Sequence, residues 1–281
     1  VRVVLCSNPP LDIGDEPGRF TGFNQNFHAM ADFARRLAEE RKLTFVDQFH
    51  FCHRVWGENR KRASPVPVTE QTLAQHTADS VHARSPGQLT MAFVILKTLG
   101  APAEVSQATV DAATGRISTR RCEISQFRNQ DGVIAFVRSD EGSPCFIDDR
   151  GALAFELVPF QQELNRMTLE VRGLAEGTYE LQIDDFVWGQ LTAQQLGQGV
   201  NLSTNRLSPL YGPGRKVDQL VRSQQSATYR ARQVTFFQPP DWLKIPDLDQ
   251  QKASEFARAR ERLEQADAAI AAAAAPQPHT Y

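Results

Sequence analysis

A chain of 281 residues, 41% apolar and 23% charged, has the size and composition of a globular protein of about two domains. Its 31 basic and 33 acidic residues are well mixed and leave a formal charge of −2, so nothing in the composition argues for a nucleic-acid partner or an anionic membrane surface. No apolar run approaches the length of a membrane span.

The first apolar run, Val3-Val4-Leu5-Cys6, reads as a central parallel strand buried on both faces. Residues 8–21, rich in Pro, Gly and Asp, read as a long loop at its carboxyl end, where open α/β sheets place their sites. Residues 23–42 are predicted helical, with Phe27, Met30, Ala31, Phe33, Ala34 and Leu37 inward and Arg35, Arg36, Glu39 and Glu40 outward. Residues 44–47 form the next short strand, and the three elements make one βαβ unit. Two parallel strands leave apolar surface and a sheet edge uncovered. The sequence is therefore expected to be the C-terminal portion of a longer protein, and an export signal lies outside what it can show.

A helix follows through Phe49, Phe51, Cys52, His53, Val55 and Trp56, on which Cys52 and His53 read as packing rather than as a nucleophile pair. His28 and His50 are taken as structural, or as lining a site from neighbouring elements. The cysteines, at 6, 52, 122 and 145, show neither Cys-x-x-Cys nor metal-ligand spacing; buried free thiols are expected, with a Cys122–Cys145 bridge as the alternative. Arg60-Lys61-Arg62 reads as a solvated helix end, and residues 68–76 as a short amphipathic helix.

Chemistry is concentrated in Asp79-Ser80-Val81-His82. A carboxylate three residues before an imidazole, in a loop that opens a helix, can fold back and accept a hydrogen bond from one ring nitrogen. The other nitrogen is then free to act as a base. The helix signals are an N-cap at Ser85, Pro86 at the first helical position, Gln88 completing a capping box, and a stop at Gly100 and Pro102. Leu89, Ala92, Phe93, Leu96 and Leu99 make one apolar face, which Met91, Val94 and Ile95 widen, so burial over most of the circumference is expected. The simpler reading of Asp79 and His82 is a loop hydrogen bond that ties down the helix start.

The run from Asp79 to His82, followed by Gly87, Met91-Ala92 and Leu96-Lys97, resembles the last conserved block of the SGNH (GDSL-type) hydrolases. It departs from the usual pattern at Ala83, where most members have Pro, and at Gln88, where many have His. The resemblance implies an α/β fold, with residues 1–102 forming the C-terminal part of a three-layer, flavodoxin-like SGNH domain. It also implies acyl-ester hydrolysis by a Ser-His-Asp triad in which His82 is general base and then general acid, and Asp79 orients it. The family's Gly-Asp-Ser and Gly-x-Asn-Asp blocks precede this one, and neither occurs in the chain. The nucleophile and the oxyanion donors are thus expected upstream of Val1, and the chain alone is expected to be inactive. The implied substrate is a small-molecule or glycan ester, and the mechanism calls for no metal and no cofactor.

Beyond Pro102 the periodicity changes. Residues 105–111 and 116–124 read as a hairpin, 133–137 as a strand and 160–165 as a helical piece. Residues 167–171 and 177–183 read as a second hairpin, followed by a short helix at 192–196, a strand end at 199–202 and a helix at 214–233. From Gln251 a charged, Ala-rich helix runs to a frayed Pro-Gln-Pro-His end. The expected blocks are 1–102, a β-rich extension over 103–240 and a helical tail over 241–281. This order is similar to that of bacterial SGNH hydrolases with a C-terminal extension. Two rival functions remain: a carbohydrate-binding module using Tyr179, Trp188, Tyr211 and Trp242, and an SGNH-like protein without catalysis.

Overall fold

Strand β1 (Val4–Cys6) runs parallel to β2 (Thr44–Val46), with Val4 opposite Thr44 and Cys6 opposite Val46, and helix α1 (Phe23–Arg41) makes the crossover between them. The computed structural model that shows this describes residues 3–12, 22–63, 81–240 and 244–281. The architecture is mixed α/β, in two compact units: Val1–Glu104 with Ile147–Arg166, and Val105–Phe146 with Met167–Tyr281.

In the first unit, β1 is half-buried and Val3 is exposed, so the expected burial on both faces is not what the described residues show. A strand is buried twice over only where layers cover both sides of its sheet. Helix α1 buries Ala31 and Ala38, two turns apart on one stripe, and this leaves Met30 and Phe33 exposed although both were expected inward. Helix α2 (Gln48–Ala63) turns Cys52, Val55 and Trp56 into a core shared with Leu89 and Phe93 of α3 (Ser85–Thr98).

Ala154, Val158 and Phe160 complete that core. They come from the segment Ile147–Arg166, which carries α4 (Asp149–Ala152), a 3-10 turn (Leu153–Glu156) and α5 (Phe160–Glu163). Asp148 caps α4 by accepting from Gly151 N at 2.8 Å, and Lys97 of α3 pairs with Glu163 at 2.9 Å. This segment falls within the block 103–240 expected to be β-rich. Its apolar residues have their partners on α2 and α3 instead.

The second unit holds β3 (Glu104–Asp111), β4 (Ile117–Arg120), β5 (Cys122–Gln130) and β6 (Val133–Asp140), then β7 (Arg166–Arg172), β8 (Thr178–Ile183) and β9 (Phe186–Thr192). After α6 (Ala193–Gln198) come β10 (Val200–Asn201), α7 (Gly212–Phe236), α8 (Leu248–Ala273) and β11 (His279–Thr280). The strands lie in the orders β10-β7-β3-β4, β11-β6-β5 and β8-β9. Alternate residues Ser106, Ala108 and Val110 of β3 and Met167, Leu169 and Val171 of β7 face one core.

Three expectations for this unit are corrected. Residues 116–124 are two strands, because Arg121 at φ 56° breaks the extended chain between β4 and β5. Strand β7 does not pair with β8; β8 pairs with β9, and β7 lies between β10 and β3. The chain end is not frayed: β11 pairs with β6, Asp184 holds His279 Nδ1 at 2.6 Å, and the buried Tyr281 stacks on Phe136. The block 241–281 therefore contributes to the second unit rather than standing as a separate tail.

None of the four cysteines forms a disulfide, so Cys122 and Cys145 are not bridged. Cys122 is buried and donates to Gln107 O at 3.1 Å. Burial, with Asp47 adding repulsion, pushes the Cys52 thiol up to about 12. Cys52 is expected to resist iodoacetamide at pH 8.5 in the folded chain while the exposed Cys6 is alkylated; peptide mapping reads both sites. Prompt labelling of Cys52 before unfolding would show that its pocket opens.

Candidate functional site

His82 is exposed and lies three residues ahead of the first residue of α3. The N-cap of that helix is Arg84, with extended φ −79° and ψ 176°, so Ser85 and Pro86 take the first two helical positions. The capping box expected from Ser85 and Gln88 does not form. Shifted by one, Pro86 still sits among the first-turn residues whose N–H has no intrahelical acceptor, so its missing donor costs nothing. Gln88 instead donates its backbone N–H to Arg84 O at 2.8 Å and its side-chain amide to Ala83 O at 3.2 Å, which fastens the His82 loop to the first turn.

At the far end, Gly100 at φ 75° donates to Lys97 O and Ala101 donates to Leu96 O, a Schellman stop where only glycine avoids Cβ strain. Between the two ends Leu89, Thr90, Phe93 and Val94 are buried, whereas Leu96 and Leu99 are exposed. Burial thus covers a narrower face than the sequence suggested. Asp79 and the helix expected over 68–76 lie outside the described residues.

The chain carries a second Asp-x-x-His spacing, Asp47-Gln48-Phe49-His50. It stands at the carboxyl end of β2 and opens α2. Asp47 Oδ1 accepts from His50 N at 3.1 Å, an N-cap contact, and both carboxylate oxygens meet His50 Nδ1, at 2.9 and 3.0 Å. Arg35 pairs with the same carboxylate, and its guanidinium lies 3.3 Å from His50 Nδ1.

Across from His50, Asp32 Oδ1 lies 4.0 Å from Nε2, and Asp32 Oδ2 lies 3.5 Å from Nε2 of His28, one turn earlier on α1. His28 stacks on Phe49 at 5.6 Å between ring centroids and meets His50 edge-on at 4.8 Å. Among the described residues, His28, Asp32 and His50 form a group able to hold a metal ion, with ligand atoms within 4.8 Å of one another. The sequence carried two signals for it: the repeated Asp-x-x-His and the four-residue step from His28 to Asp32 on one helical face. Beside them, Ser7 at the carboxyl end of β1 is buried and accepts from Phe49 N at 2.9 Å, a structural contact.

Of the four aromatics named for sugar stacking, Tyr211 is 1% exposed and donates its hydroxyl to Ser203 O at 2.6 Å. The Trp188 indole donates to Leu202 O at 3.1 Å and packs on the core, while Tyr179 donates to Ala175 O at 2.9 Å. Trp242 lies outside the described residues. The second unit does contain a cavity of about 620 Å³, lined by Ile134, Phe136, Leu169, Tyr179, Leu181 and Tyr281 among others. It is a largely apolar hollow rather than a flat platform of aromatic faces.

No family model matches the sequence, and no curated protein matches it. Among solved structures, the chain is similar to one described as BT4096, a gut microbial diltiazem-metabolizing enzyme. The TM-score is 0.75 at 21% sequence identity, over 99% of this chain and 71% of that one. At that identity the likeness is one of fold: the chain shares the mixed α/β architecture of a solved enzyme structure. Among the described residues, no helix is long and apolar enough to cross a membrane.

Proposed function

We propose that this chain belongs to an acyl-ester hydrolase of the SGNH (GDSL) type, to which it supplies the general base His82 and the orienting carboxylate Asp79. The observation that carries the reading is the Asp79-x-x-His82 spacing in the sequence, with His82 three residues ahead of α3. The same spacing at 47–50 supports it, since there an aspartate at a helix start does hold the Nδ1 of a histidine three residues on. In this reading Asp79 fixes one nitrogen of His82 as the donor and leaves the other as the base.

In the proposed reaction, His82 takes the hydroxyl proton of a serine as its oxygen attacks the ester carbonyl. His82 then returns the proton to the departing alcohol, and a water activated by the same nitrogen releases the acid. The serine and the oxyanion donors come, in this reading, from sequence preceding Val1. The exposed Met30 and Phe33 on the helix beside the two-stranded sheet of the first unit support that assignment, since they leave apolar surface for further chain to cover. Short acyl esters are the first substrates to try.

The test is to label two proteins with a fluorophosphonate: the 281-residue chain and an in-frame polypeptide that includes the preceding sequence. Labelling at a serine upstream of Val1, together with hydrolysis of 4-nitrophenyl acetate by the longer protein only, is the expected result. An unlabelled, inactive longer protein would sink the proposal, as would hydrolysis by the 281-residue chain at the same rate.

A further inference from the structure

We propose that His28, Asp32 and His50 are the protein ligands of a divalent transition cation of the zinc class, with Asp47 and Arg35 as the outer shell that orients His50. The site is independent of the ester-hydrolase reading, whose chemistry uses no metal.

The geometry is close to what such a cation requires. His28 and Asp32 share one face of α1, and His50 comes from the first turn of α2. Tetrahedral bonds of about 2.0–2.2 Å put neighbouring ligand atoms about 3.3–3.6 Å apart. Here Asp32 presents one oxygen to each imidazole, at 3.5 Å from His28 and 4.0 Å from His50, and no pair of ligand atoms exceeds 4.8 Å. The three side chains are 55%, 44% and 36% exposed, so small rotations can close the set and an open position remains for water.

The protonation pattern points the same way. A carboxylate can only accept, so two Asp47 oxygens at 2.9 and 3.0 Å from His50 Nδ1 require that nitrogen to carry its proton, ahead of the guanidinium at 3.3 Å. In the neutral ring Nε2 then holds a lone pair, and it looks across 4.0 Å at an Asp32 oxygen that also carries lone pairs. These two acceptors cannot bond each other; a metal cation between them satisfies both, as does a proton on Nε2, and the metal titration below separates the two.

The carboxylate–histidine–metal relay this creates is the usual outer-shell arrangement of metal-bound histidine. Arg35 pairs with Asp47 and holds its carboxylate in place, and the Phe49 ring stacked on His28 fixes the other imidazole. Two imidazoles and one carboxylate select a borderline cation over magnesium or calcium, which want oxygen alone.

The experiment uses the metal-stripped 281-residue chain, titrated with Zn²⁺ by calorimetry and with Co²⁺ by visible absorption. One equivalent should bind with Kd at or below about 10 µM. The Co²⁺ complex should show d–d bands without thiolate charge transfer, which separates this site from Cys6 and Cys145. The double variant His28→Ala/His50→Ala should lose at least about 100-fold in affinity, and Asp32→Asn, nearly isosteric and exposed, at least about tenfold.

Asp47→Asn should weaken binding about 10–100-fold at unchanged stoichiometry, because the outer-shell acceptor is lost. His53→Ala, whose ring also stacks on Phe49 but lies outside the ligand set, should bind as the parent does. No heat and no d–d spectrum at 1 mM metal would show that the cluster is held by protonated histidine–aspartate pairs alone, and would overturn the site. Binding undiminished in the double variant or in Asp32→Asn would overturn it equally, and binding undiminished in Asp47→Asn would remove the outer-shell role.

Discussion

Replacing His82 by alanine in a polypeptide that carries its nucleophile is expected to lower kcat for 4-nitrophenyl acetate by about 10³–10⁴-fold, with KM little changed. That corresponds to about 4–5.5 kcal/mol of transition-state stabilisation. A serine hydroxyl is a weak nucleophile until its proton is removed, and the same imidazole must also protonate the departing alcohol, so both chemical steps lose their catalyst at once. His82 is exposed and precedes α3, whose core contacts come from Leu89, Phe93 and Val94, so the variant should keep its fold by circular dichroism. Fluorophosphonate labelling should fall in parallel with hydrolysis. Asp79→Ala should cost less than His82→Ala by about 10–100-fold, because it disturbs the orientation of the base without removing it. A loss below tenfold in His82→Ala would mean that the loop only anchors the helix.

What could be read from the sequence is what local chemistry determines. The β1-α1-β2 unit follows from two apolar runs flanking a helical period, and the end of α3 follows from Gly100 in the left-handed region. What could not be read depends on partners far away in the chain. Residues 173–177 look like a hairpin connection after β7, yet Met167, Leu169 and Val171 are buried beside Ala108 and Val110 of β3, so β7 pairs there. Pro276 and Pro278 suggest fraying, but Asp184 captures His279 from 95 residues away. The candidate site divides in the same way. Asp79 and His82 drew notice through a family-like context, whereas the identical spacing at Asp47 and His50 did not, because His28 and Asp32 join it only when α1 folds against β2 and α2.

The largest effect on stability is expected at Asp140, a position whose importance no sequence pattern announces. Arg138 of β6 is fully buried, and the Asp140 side chain is 4% exposed. The guanidinium donates from Nε to Asp140 Oδ1 at 2.9 Å, from Nη2 to Ser106 Oγ at 2.8 Å and from Nη1 to Thr168 O at 3.0 Å; Ser106 in turn donates to the same Asp140 oxygen at 2.6 Å. The network joins β6 of one sheet to β3 and β7 of another, within one unit. Asp140→Ala removes the only carboxylate in it and strands a buried cation, a change that costs about 3–5 kcal/mol. Since domains are stable by only about 5–15 kcal/mol, this should unfold much of the second unit's population under mild denaturant. The double variant Arg138→Met/Asp140→Leu removes both charges, and it should recover most of the loss, because a well-packed apolar pair avoids the desolvation that the ion pair suffers. Urea unfolding of the parent, of Arg138→Met, of Asp140→Leu and of the double variant closes the thermodynamic cycle. A coupling of several kcal/mol identifies the cost as an uncompensated charge; equal losses in the singles and the double would assign it to packing, and a loss below about 1 kcal/mol in Asp140→Ala would show that water reaches Arg138 and takes over the carboxylate's role.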